Sequence, residues 1–174
     1  MQEPQLVWHD FNVSVVTACA ALLGLLFVAL SLHLRALTAP RNAELRSVAR
    51  TVFLGYVTGL GMGFLGLVPQ PLGPYGIELL GLFLIALIPF TVAARTGFRA
   101  TGVGYDRRVT VLQFGAGIIF FLVSFGAALA VALGNETALV VVGAIPLLGL
   151  LWGVYNTYEL LFRIAASGEG DLPR

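Results

Sequence analysis

Few side chains in this sequence have the chemistry to do more than pack, and those few lie in or beside long apolar runs. The richest stretch is Trp152-Gly153-Val154-Tyr155-Asn156-Thr157-Tyr158-Glu159. In a helix, residues 152, 155, 156 and 159 share one face, which sets an indole, a phenol, an amide and a carboxylate together. That face is expected to point at protein. A carboxylate held in an apolar helix is costly and is a functional candidate by default. Two readings of Glu159 stand side by side. One is an aromatic belt plus an ion pair with Arg163, four residues on and at helical spacing; the other is a site for a lipid head group, an ion or a partner helix. Glu78 is the second candidate. It lies about one turn into another apolar run, where a helix N-terminus favours a negative charge, so it reads either as an interfacial helix-start residue or as part of an ion path.

The remaining chemistry-bearing residues do not assemble into a reactive set. His33 and Ser31 end the first apolar run and His9-Asp10 precede it, with no further ligand at metal spacing and no HExxH or CxxC pattern. No metal or other cofactor is expected. Cys19 is the single cysteine; among Ala and Leu it reads as a small packing residue. Thr17 and Gln113 read as hydrogen-bond formers between helices. No nucleophile and base, phosphate loop or pair of catalytic carboxylates can be drawn from this inventory, and the chain is not expected to be an enzyme.

The elements that must position these residues are set by composition. With 58% hydrophobic and 11% charged residues and a mean hydropathy of +0.91, the 174-residue chain is too apolar for a soluble domain of its size. Uncharged runs at 11–34, 51–77, 79–94, 109–135 and 137–158 need a bilayer around them. The predicted spans are 13–34, 51–68, 75–94, 110–133 and 138–162. At ~1.5 Å per residue each is long enough for a ~30 Å hydrocarbon core. No strand alternation, heptad run or internal repeat competes with an all-α integral membrane helical bundle over 1–174.

Charge orients that bundle. There is no Lys, and all ten Arg fall in segments on one side: Arg35, Arg41, Arg46 and Arg50 after span one, Arg95, Arg99, Arg107 and Arg108 after span three, Arg163 and Arg174 in the tail. The positive-inside rule makes these cytoplasmic and puts the N-terminus outside and the C-terminus in the cytoplasm. Spans two and three could instead form one hairpin that does not cross, since both arrangements return to the same side. Pro69, Pro71 and Pro74, and Gly97, Gly102 and Gly104, are expected to end helices. Trp8, Tyr75 and Tyr105 are expected at membrane interfaces. The N-terminus lacks a basic signal-peptide n-region, so span one is expected to be retained.

Packing is signalled by glycine. Gly55, Gly59 and Gly63 make two overlapping spacings of four, with Gly61 and Gly66 beside them, and Gly149 and Gly153 repeat the spacing in span five. Such stripes let backbones approach closely, within one chain or between copies. Pro89 and Pro146 each remove an intrahelical hydrogen bond and are candidate kinks.

Span one with its exit, from Ala21 through Gly24, Phe27 and Ser31 to His33-Leu34, and the hairpin Leu67-Val68-Pro69-Gln70-Pro71-Leu72-Gly73-Pro74-Tyr75-Gly76-Ile77-Glu78 resemble a group of small, uncharacterised bacterial multi-pass membrane proteins, some labelled "modulator of FtsH protease". The likeness covers about the first half of the chain; the later spans match in hydropathy alone. Where that group often carries Asn, this chain has His33. The resemblance implies the bacterial cytoplasmic (inner) membrane and carries no residue-level mechanism. The function expected is a non-enzymatic accessory or regulatory component that associates with other membrane helices. Its partners are the lipid bilayer and either further copies of itself or another membrane protein, with no nucleic acid. The alternative is a homo-oligomeric ion channel subunit with Glu78 or Glu159 as a charged ring, or a small-solute or proton transporter using Glu159.

Overall fold

The computed structural model describes residues 8–38, 43–99 and 107–169, and over these the chain is helical with short connections. The elements are α1 (His9–Leu32), α2 (Leu34–Thr38), α3 (Ala43–Leu67), α4 (Leu72–Arg99), α5 (Arg107–Ala132) and α6 (Ala138–Glu169). All but α2 contain a stretch long and apolar enough to cross a membrane: His9–Leu32, Leu45–Leu67, Leu72–Arg99, Phe114–Ala132 and Ala138–Phe162. Helices α3 and α4 are two separate helices, each with a stretch of membrane-crossing length, joined by residues 68–71.

Several helices overrun the spans expected from hydropathy. Helix α3 starts at Ala43 and not at Thr51, and α4 runs through Arg95 to Arg99. Apolarity marks where lipid can solvate a helix. The backbone ladder continues wherever the residues are good helix formers, as Ala, Leu, Glu and Arg at 43–50 are. Pro69 and Pro71 do lie between helices, but Pro74 stands in the first turn of α4, where its missing N–H has no partner to lose. Gly97 is likewise inside α4, closed over by the Phe114 ring. Arg41, Gly102, Gly104, Tyr105 and Arg174 lie outside the described residues. The α5–α6 turn is closed by a glycine: Gly134, at φ +86°, donates to Val131 O at 2.8 Å while Asn135 N–H reaches Ala130 O at 3.0 Å. This Schellman pattern caps the last carbonyls of α5.

The bundle is built around α3, which touches α1, α4 and α6, while α5 packs on α4 and more lightly on α6. Pairs of contacts fix the directions. Asn12 at the start of α1 donates to Gly66 O at the end of α3, 3.0 Å away, and Ser47 near the start of α3 donates to Ala93 O late in α4 at 2.6 Å. Gly76 at the start of α4 sits against the backbone of Ala132 at the end of α5, and Trp8 covers Gly143 at the start of α6. Helices α1, α4 and α6 therefore run one way and α3 and α5 the other. Every Arg among the described residues falls at one end, on α2, the starts of α3 and α5 and the later parts of α4 and α6.

Apolar burial divides into two cores. Away from the Arg end, Met62, Leu79, Phe83, Ala128, Val131 and Val142 join α3, α4, α5 and α6. At the Arg end, Leu23, Leu26, Val48, Val52, Tyr56 and Leu160 join α1, α3 and α6 without α5. Tyr75, expected at an interface, is 4% exposed and belongs to the first core. Each helix buries only the stripe that faces its neighbours, and Leu25, Ile85, Ile119 and Leu151 lie more than half exposed, as suits a helix long and apolar enough to cross a membrane.

Candidate functional site

The two carboxylates singled out from the sequence stand at opposite ends of the bundle. Glu78 is exposed early in α4, and its Oε2 accepts a hydrogen bond from Gln70 Nε2 at 2.7 Å, which ties the α3–α4 connection to α4. Glu159 is half-buried on α6 at the Arg end. The Arg163 side chain that spacing pairs with it, like that of Gln113, lies outside the described residues.

The polar face of α6 is split. Asn156 is buried and its amide donates to Trp152 O at 2.7 Å. Trp152 and Tyr155, by contrast, are 47% and 58% exposed, with ring centroids 6.3 Å apart. The expectation that the whole face points at protein is thus corrected: Asn156 turns inward, Glu159 half so, and the two aromatic rings turn out. Helical spacing places residues on a common arc but leaves open how wide the neighbouring protein is, and here α5 stands away from this part of α6.

The glycines divide by neighbour. A Cβ on Gly59 would lie 2.9 Å from Cys19 Sγ, and one on Gly63 would lie 2.7 Å from Val16 Cγ2, so these two let α1 close onto α3. Cys19 is fully buried at that contact. Gly153 receives the Tyr56 ring, 2.6 Å from where its Cβ would be. Gly55 has nothing within 4 Å, and Gly149 meets only Phe120, at an ordinary 3.6 Å. Most of the stripe is therefore used inside one chain, while Gly55 faces open space and Gly149 lines the same space in ordinary contact with Phe120.

That space is a cavity of about 620 Å³, open on one side and lined by α3, α4, α5 and α6. Gly55, Phe90, Gly117, Phe121, Gly149 and Trp152 are among its walls. It arises because α5 and α6 share the first core only as far as Ile145; below Pro146 the buried apolar residue of α6 is Leu160, which packs with α1 and α3. Its mouth lies between α5 and α6, where the lining residues Ala116, Leu148, Leu151 and Tyr155 are exposed. The threonine hydroxyls in the wall turn back on their own helix: Thr51 donates to Ser47 O at 3.0 Å and Thr58 to Leu54 O at 2.8 Å.

No family model, curated protein or solved structure matches this chain.

Other polar contacts were not marked by any motif. Tyr56 OH and Thr157 Oγ1, 3.2 Å apart, join α3 to α6, and the Asn12 and Ser47 bonds join α1 to α3 and α3 to α4. Their signal in sequence is only a polar-tipped residue on a buried face, which is invisible until the facing helix is known. Thr17, expected to bond across helices, instead donates to Val13 O of α1 at 2.8 Å. Among the described residues, no three His, Cys, Asp or Glu side chains are grouped to hold a metal ion.

Proposed function

We propose that this is a non-enzymatic, multi-pass protein of the bacterial cytoplasmic membrane, N-terminus outside and C-terminus inside, that acts as an accessory or regulatory component by associating with other membrane helices. The observation that carries this reading is where the polar groups of the bundle spend their hydrogen bonds. Ser47, Thr51, Thr58, Ser124, Asn156 and Thr157 all donate to helix carbonyls, so they serve the packing and leave the outward surface apolar. A protein with such a surface recognises its partners by shape and dispersion.

Two further features support the reading. The gathering of Arg at one end agrees with the positive-inside rule and supplies the orientation. The likeness of the first half to small bacterial membrane proteins, some labelled as modulators of a membrane protease, supports a partner that is itself a membrane protein. Mild crosslinking in native membranes tests this: an adduct with a different membrane protein is the expected product, and recovery of the uncrosslinked single chain alone overturns the reading.

A further inference from the structure

We infer that the cavity between α5 and α6 is a binding site for one acyl chain of a phospholipid in the leaflet at the Arg end. The inference rests on the membrane placement proposed above and gives the site a ligand class.

The walls decide the chemistry first. A space of about 620 Å³ is in the ~300–1,000 Å³ range of ligand sites. Left empty, it would forfeit the dispersion contacts of all the rings and methyls around it. Water does not fill such a space without polar partners, and the Thr51 and Thr58 hydroxyls and the Asn156 amide are already donating to helix carbonyls. The occupant that asks for no hydrogen bond is hydrocarbon.

Shape decides between a lipid tail and a protein helix. The cavity follows α3 from Thr51 to Met62, roughly 16 Å at ~1.5 Å per residue. That is about half of a ~30 Å hydrocarbon core, the depth of the tails in one leaflet. A partner helix would cross the whole core, whereas this space ends about halfway, at Met62, Phe83 and Ile145 of the first core. The mouth is lateral, between α5 and α6, which is the direction from which a bilayer tail enters.

The end of the cavity decides the leaflet. Thr51 lines it and follows Arg50 in α3, so that end lies at the level of the Arg-bearing turn, although Arg50 itself is exposed with Phe53 and Val57 on another face of the helix. The exposed rings of Trp152 and Tyr155 flank the mouth on the same half.

The test uses the full chain in nanodiscs of phosphatidylglycerol and phosphatidylcholine, each lipid in turn carrying a photoreactive acyl chain, with the labelled peptides then mapped. Wild-type protein is expected to be labelled mainly on the α5 and α6 cavity segments around Phe120 and Leu151, by either lipid. Gly55→Leu points a side chain into open space inside the cavity and should abolish that labelling, whereas Gly24→Leu, equally unobstructed but on α1, should not. Equal labelling of wild type and Gly55→Leu, or labelling spread evenly over Ile85 and Ile88 of α4, overturns the site. Resistance of the protein to carbonate extraction, measured alongside, separates the two failures: an inserted protein without cavity labelling loses only this site, and an extractable one loses the membrane reading as well.

Discussion

At the scale of single residues, close contacts seat the helices of the bundle on one another. The α1–α3 seam depends on Gly59 lacking a Cβ where Cys19 Sγ lies, and nothing else stands within 4 Å of that position. Gly59→Ala is therefore expected to lower stability by ~1–3 kcal/mol, the usual cost of overpacking, and Cys19→Ala in the same chain should recover most of it. Thermal unfolding of the four members of this cycle in one detergent measures the coupling; strictly additive effects would show that the two residues do not meet. The stripe itself was legible, because small residues four apart have few other uses in an apolar helix. Which partner each glycine serves was not. Gly59 and Gly63 serve α1, Gly153 serves Tyr56, and Gly55 serves none, although their sequence surroundings are alike. The face of Trp152, Tyr155, Asn156 and Glu159 shows the same limit, since its division follows from how far away α5 stands.

Among the elements, existence and number were readable and ends were not. Five apolar runs became five long helices because a segment without charges has no other way to satisfy its backbone in an apolar setting. The early start of α3 and the short α2 lie in the Arg-bearing connection, where hydropathy has nothing to report. The end of α5 makes a direct test of how the helices are stopped. Gly134 at φ +86° is in a conformation that costs other residues roughly 1–2 kcal/mol. Gly134→Ala should lose about that much in thermal unfolding, and Gly134→Asn distinctly less, because Asn enters the left-handed region more readily. Equal losses would mean that the turn does not depend on backbone conformation at this position. The divergence of α5 from α6 below Pro146, which creates the cavity, could not be read from sequence at all: a void is a property of what neighbouring helices fail to fill.

For the whole molecule, the account stands on one arrangement: five crossings with every Arg-bearing connection on the cytoplasmic side. Charge alone allowed spans two and three to be a hairpin that does not cross. The separate lengths of α3 and α4 and the position of Gln70 at the end opposite Arg50 and Arg99 argue for two crossings. Both the proposed association with other helices and the proposed lipid site rest on it. The decisive measurement is labelling of single cysteines in intact cells with a membrane-impermeant maleimide, in a Cys19→Ala background. Gln70→Cys and Glu136→Cys should react before lysis, and Thr38→Cys and Arg99→Cys only after it. Protection of Gln70→Cys in intact cells, or reaction of Thr38→Cys there, would contradict the arrangement.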